Sequence, residues 1–264
     1  GHIDGDFCPA IDGVYQIGTA RGLEWLAEMV ESGKTEVDAA LTADINLAGS
    51  TFQGIGTKGK GYKGTFDGQF HTISGLDLSA VEHDWSGFFN FITGGATIQN
   101  LTLDETCLIN GGTGVGLVGG CNQSGNVLLK NLGMRGDVSC SVKNAGGILG
   151  ANTGSQASVR MENCYMTGNV IAPTESGLIS GWMGSNNPVA ANCWASGECT
   201  GAEGEDRYLF RHNNLTLTNC YALYGTQGKN FSMEELESGA LTCMMNSMLE
   251  APVWFQNLDN GLPH

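Results

Sequence analysis

The sequence repeats itself with a period near thirty. Glycine-led apolar brackets read Gly87-Phe88-Phe89-Asn90, Gly116-Leu117-Val118-Gly119, Gly147-Ile148-Leu149-Gly150 and Gly177-Leu178-Ile179-Ser180, at spacings of 29, 31 and 30 residues. Asparagines keep the same rhythm at Asn100, Asn131, Asn163, Asn192 and Asn219. A unit of this length cannot bury an apolar face alone and must stack on its neighbours, which makes the chain a solenoid. It has room for three short strands and their turns, and it lacks the long apolar helix of a βαβ unit. A sustained L-x-x-L-x-L-x-x-N pattern is missing, so leucine-rich repeats do not fit. The prediction is an all-β parallel β-helix.

Alignment on the asparagines predicts a corner. Two positions before them stand Ile98, Leu129, Met161, Ala190 and Leu217. One after stand Leu101, Leu132, Cys164, Cys193 and Cys220, and three after stand Leu103, Met134, Met166, Ala195 and Ala222. The two later sites share a strand face by the period of two, whereas the earlier site is out of phase, so the chain bends at the asparagine. The amides then either bond from coil to coil as a ladder or serve only as turn residues. The outward position two after each asparagine reads Thr102, Gly133, Tyr165, Trp194, Tyr221. With coils about 4.8 Å apart, Tyr165, Trp194 and Tyr221 form an aromatic strip, either exposed and able to stack on sugar rings or covered by a loop or the C-terminal segment.

Composition narrows the function. Forty-one glycines, five prolines and 41% hydrophobic residues suit short strands joined by turns, and are too apolar for disorder. A net charge of −15 with only 12 Lys plus Arg disfavours nucleic acid and anionic membranes as partners. No apolar run reaches the length of a membrane span, and no charged-then-apolar leader stands at the start. Nine cysteines make an odd count without a CxxC pair, which fits small buried hydrophobes better than a zinc site or a full disulfide framework. No cofactor or metal is expected.

The organisation reads as one β-helix domain over 1–264. Residues 1–36 hold a strand, Val14 to Ile17, and a capping helix opened by Thr19, with Leu23, Leu26, Ala27 and Val30 on one face before Gly33. Residues 37–225 hold the coils; within the first of them, Asp67-Gly68 is also a hairpin signal for Phe66 to Ile73. Residues 226–264 hold a helical cap, with a capping box at Ser232 and Glu235, a stop at Gly239 and a second apolar run from Leu241. Short helical caps are therefore expected at both ends.

The brackets, the opening Tyr62-Lys63-Gly64-Thr65-Phe66-Asp67-Gly68-Gln69-Phe70-His71-Thr72-Ile73-Ser74-Gly75-Leu76, and the Asn-Leu and Asn-Cys-Tyr echoes resemble GLUG-motif repeat proteins. The resemblance spans roughly residues 13 to 260. It implies a right-handed parallel β-helix, an extracellular or outer cell-surface location in bacteria, and further modules attached to the chain. It supplies no catalytic residues. Two departures stand out: the first bracket ends in Asn90, and where a fifth is due the chain reads Arg207-Tyr208-Leu209-Phe210.

Charged chemistry concentrates near that fifth position, at Glu203, Glu205, Asp206, Arg207, Arg211 and His212. Acids with arginines suit a polysaccharide lyase or glycoside hydrolase, although neighbouring coils add no acids in register, and a solvated loop explains the same residues. A second cluster, Asp77, Glu82, His83, Asp84 and Trp85, reads as a solvated loop or a cation or sugar site. The brackets are not phosphate loops, and no nucleophile elbow is present. The reading is a non-catalytic, adhesin-like surface protein that binds a glycan or another surface through Tyr165, Trp194 and Tyr221. A β-helix lyase or hydrolase and a structural stalk are the alternatives.

Overall fold

The computed structural model describes residues 8–122, 124–201, 209–211, 214–259 and 261–264. It is a parallel β-solenoid of about 6 turns. Three sheets run along it. The first joins 14 described strands, from Ala10–Ile11 to Lys229–Asn230, and includes Thr65–Ser74, Thr97–Leu103 and Gly125–Met134. The second stacks Phe89–Thr93, Val118–Asn122 and Leu149–Asn152; the third stacks Asp77–Leu78, Leu108–Val115, Asp137–Ala145, Val170–Ile171 and Cys199–Thr200.

The first three glycine brackets lead into the second sheet, with Val118 opposite both Phe89 and Leu149, and the fourth joins by a bridge between Leu149 and Ser180. Their apolar pairs fill the interior: Phe88, Phe89, Leu117, Val118, Ile148, Leu149, Leu178 and Ile179 are all buried. The flanking glycines are dictated by coil spacing. A Cβ on Gly116 would lie 2.3 Å from the Gly146 carbonyl oxygen, and one on Gly150 would lie 2.3 Å from that of Gly119. Both obstacles are backbone, so neither can move aside. Where the fifth bracket is due, Leu209 and Phe210 take its place; both are buried, and Phe210 bridges Ser180.

The predicted corner is present, and the asparagines form the ladder. Asn100, Asn131, Asn163, Asn192 and Asn219 all have φ between 53° and 58°, a left-handed conformation that asparagine tolerates better than most residues. Each amide Nδ2 donates to the Oδ1 one coil earlier: Asn131 to Asn100 (2.6 Å), Asn163 to Asn131 (2.8 Å), Asn192 to Asn163 (3.1 Å) and Asn219 to Asn192 (3.1 Å). Asn100 donates in turn to the Asp67 carboxylate at 3.0 Å. Of the fifteen apolar positions aligned on the ladder, all but the half-buried Leu217 are buried.

The hairpin alternative at Asp67-Gly68 is not adopted. Thr65–Ser74 is one strand, paired in parallel with Thr97–Leu103. Extra residues between Asp67 and His71 are absorbed as a bulge, with Gln69 and Phe70 at φ 48° and 61°. Parallel pairing wins because it keeps Phe66 and Ile73 in the interior, whereas the bulge puts the Phe70 ring outside, 76% exposed.

Helix α1, Ala20–Glu31, is capped by the Thr19 side chain, which accepts from Gly22 N at 3.0 Å, and it buries Leu23, Leu26 and Val30. Helix α2, Met233–Ser238, carries the reciprocal Ser232–Glu235 capping box and ends at Gly239, φ 84°. Helix α3, Ala240–Ser247, follows directly. No described helix is long and apolar enough to cross a membrane.

Removing a ladder amide should be costly and separable from the corner's backbone demand. Asn163→Gly loses two ladder bonds but keeps the left-handed corner, for an expected loss of about 2 kcal/mol. Asn163→Ala adds the strain of a Cβ at positive φ, about 1 kcal/mol more. Urea melts of the two variants check both figures.

All nine cysteines are free, and only Cys243 is classed as exposed, Cys199 being partly so. Burial alone raises the Cys121 thiol from 9.0 to about 12, and burial is the leading cause that raises Cys8, Cys107 and Cys140 to about 11. Below pH 9 these groups are protonated in both folded and unfolded chains and their contribution is fully present. As pH rises from about 9 to about 12 the unfolded thiols ionise first, and stability falls by about 1.4 kcal/mol per pH unit for each thiol so held. Denaturation midpoints should therefore drop steeply above pH 9. At neutral pH a thiol-reactive dye should label Cys243 promptly, and the seven buried cysteines only on unfolding.

Candidate functional site

The outward row of the first sheet is in register from end to end. Thr72 faces Thr102, Thr102 faces Gly133, Gly133 faces Tyr165, Tyr165 faces Trp194 and Trp194 faces Tyr221. Tyr165 and Trp194 stack at 5.4 Å between ring centroids with planes 8° apart. The strip is thus formed as predicted, but it is not exposed. Tyr165, Trp194 and Tyr221 retain 4%, 0% and 4% of their surface. They are the floor of a second apolar core, outside the coil, completed by Phe231, Leu236, Leu241, Met245 and Trp254. The physical reason is area: three adjacent rings outside a sheet are too much apolar surface to leave wet, and α2, α3 and the segment behind them cover it.

Polar bonds anchor this covering at its edges. Asn219 Nδ2 donates to Met245 O at 2.8 Å, which ties the last rung of the ladder to α3. Asn246 Nδ2 donates to Trp254 O at 2.7 Å, and its Oδ1 accepts from Val253 N and Trp254 N at 3.0 Å. Gln256 Nε2 donates to Leu236 O at 2.8 Å. The indole Nε1 atoms of Trp194 and Trp254 are buried and find no acceptor among the described residues. The centre of this cluster is therefore held by apolar packing alone.

The covering stops at Tyr165, and a cleft of about 520 Å³ opens beyond it, a volume typical of small-ligand sites. Small residues of the outward row, Thr72 and Thr102, lie at its floor, with Asn100 and Asn131 of the ladder beside them. Tyr165 closes one end by leaning over Gly133, where an added Cβ would lie 2.4 Å from its ring. Val253, Trp254, Phe255 and His264 line one wall, and Phe70 from the bulge lines the cleft as well. Phe255 is 61% exposed, so two aromatic rings stand open beside a polar floor.

Charged groups complete the lining. Arg135 Nε donates to Tyr165 Oη at 3.0 Å, with the guanidinium carbon 5.7 Å from the ring centroid. Lys130 Nζ lies 4.0 Å from Glu162 Oε2. Asp104 Oδ1 accepts from Thr106 N at 2.9 Å and from Thr106 Oγ1 at 2.5 Å.

The other sequence candidates fare differently. Glu203, Glu205, Asp206, Arg207 and His212 lie outside the described residues. Arg211 is described and is structural: its Nη2 lies 3.3 Å from Glu175, which Lys143 also approaches at 3.5 Å, and the guanidinium sits 5.4 Å over Trp182. The cluster around His83 is a set of loop staples. Asp77 accepts from Ser79 N and Oγ, and these bonds hold its carboxyl below the usual range. Asp84 accepts from Thr113 N one coil on, and Trp85 packs edge-on against Phe91. Among the described residues, no three His, Cys, Asp or Glu side chains converge on a metal-sized site.

No protein-family model matches the chain. A stretch of 123 residues, 42% of this chain, is 31% identical to Halomucin of Haloquadratum walsbyi and corresponds to 1% of that protein. Among solved structures, an immunoglobulin A1 protease-like protein from Bacteroides ovatus superposes with a TM-score of 0.60. That superposition covers 94% of this chain and 91% of the other at 19% identity, a likeness of fold.

Trp254 meets Tyr165 and Trp194 edge-on, at 6.2 and 6.4 Å. Trp254→Ala should cost about 3 kcal/mol and loosen the covering rather than the coils. Tryptophan emission should shift to the red while the far-ultraviolet β signal persists; unchanged emission would contradict this account of the exterior core.

Proposed function

We propose that the chain is a non-catalytic β-helix module of a surface protein and that its cleft binds a glycan. The observation that carries this reading is the pairing of open aromatic rings, Phe70 and Phe255, with a floor of hydroxyls and amides, Thr72, Thr102, Asn100 and Asn131. Sugars present apolar C–H faces and hydroxyl edges, and they are held by this combination. The contact residues differ from the strip predicted from sequence, because that strip is consumed by the exterior core.

The surface location has separate support. Repetitive β-helices with no described membrane-spanning helix suit extended extracellular proteins, the GLUG resemblance implies export, and the Halomucin match is to a much longer protein. The matched part of Halomucin is a small fraction of it, which is consistent with one module among many.

A glycan array, run beside a reducing-sugar and unsaturated-product assay with and without calcium, tests the proposal. Retention without product release is the expected result. Phe70→Ala and Phe255→Ala should each weaken binding three- to tenfold, the equivalent of about 0.5–1.5 kcal/mol, with unchanged thermal stability because both rings are exposed. Product release would make the chain an enzyme, and no retained glycan would favour a stalk.

A further inference from the structure

We infer that the cleft selects a sugar bearing a single carboxylate, held by Arg135 with Lys130 beside it. This rests on the glycan reading above and names the ligand class. The chain has 12 basic residues against 27 acidic ones, yet the cleft lining holds two cations and one acid, Asp104. That acid is already engaged by Thr106 through its backbone N and its hydroxyl. The lining side chains themselves thus carry one more cation than acid, with Glu162 4.0 Å from Lys130 and Asp67 bonded to Asn100.

Arg135 is also pre-positioned. Its Nε is taken by the Tyr165 hydroxyl, and Tyr165 is itself fixed by burial and by stacking on Trp194. A guanidinium carries five N–H donors, so the four on the terminal nitrogens remain as a flat fork. None of them bonds to another described residue. This fork matches the two oxygens of a carboxylate. Holding the guanidinium in place beforehand lowers the ordering cost of binding. Lys130, whose Nζ lies 4.0 Å from Glu162 Oε2, adds an unspecific positive charge.

The net charge of −15 disfavours a long polyanion as the ligand. At physiological salt, screening confines charge effects to about 8 Å. A carboxylate paired with Arg135 lies well within that range of the guanidinium, whereas a long polyanion would extend past the cleft over a chain of net charge −15. A uronic or nonulosonic acid at the end of an oligosaccharide fits both conditions.

The test is an array in which each acid-terminated oligosaccharide sits beside its carboxyl-reduced counterpart, probed with the native chain and with Arg135→Gln, Arg135→Lys and Tyr165→Phe. The native chain should retain the acid form at least tenfold more tightly. Arg135→Gln should erase that preference by weakening retention of the acid form at least tenfold. Arg135→Lys should restore part of it, because a point charge lacks the fork. Tyr165→Phe, which keeps the ring stack and frees the guanidinium, should lower it in part. Equal binding of both members of every pair, or a preference that survives Arg135→Gln, overturns the carboxylate inference and leaves the glycan reading standing. Retention of neither member of any pair overturns both.

Discussion

Neighbouring coils are held at the spacing of a parallel sheet, about 4.8 Å, and most of the structure follows from that distance. Backbone carbonyls of adjacent coils come so close that side chains are excluded at the turns, which is why Gly116 and Gly150 flank the apolar pairs of the second sheet. The same distance lets one amide reach the next. It places Asn100, Asn131, Asn163, Asn192 and Asn219 within hydrogen-bond range without any intervening group. It also brings Tyr165 and Trp194 into parallel contact. One repeat distance thus accounts for the glycines, the corner and the aromatic stack.

That dependence explains how much could be read in advance. Features set by the repeat distance recur in the sequence with its period, so the solenoid, the corner and the in-register aromatic row were all legible. The capping box at Ser232 and Glu235 was legible too, because it is a local signal. What could not be read was where a non-repeating segment docks. Trp254 and Phe255 lie about ninety residues beyond Tyr165 in sequence, so cover of the aromatic row by the C-terminal segment could be named as one alternative but not chosen from local signals. Of the two surroundings open to the strip, exposed or covered by the C-terminal segment, the structure has the covered one.

The relation between covering and cleft is itself informative. The outward row changes from small to large at one point, between Gly133 and Tyr165. Large residues demand cover and receive it from α2, α3 and the segment that follows; small residues do not, and the face stays open above Thr72 and Thr102. The edge of the covering is then a place where apolar rings, backbone-rich floor and charged side chains meet. No single coil encodes such a site, since Phe70 comes from a bulge, Arg135 from a mid-chain turn and Phe255 from the tail.

The asparagine ladder has a direction. Every amide donates toward the N-terminal end, and the series begins on the carboxylate of Asp67, which accepts from Asn100 and Gln69 and has no proton to pass on. At the other end the Asn219 carbonyl oxygen is left without a donor among the described residues. Insertion of a duplicated coil among the asparagine-bearing ones keeps every bond, because each new amide accepts from one neighbour and donates to the other. Insertion ahead of Asp67 gains nothing from the ladder. A gene family built on this chain can thus lengthen at little structural cost in its middle and C-terminal coils while its first coil stays fixed, and variation in coil number among its descendants should be written there.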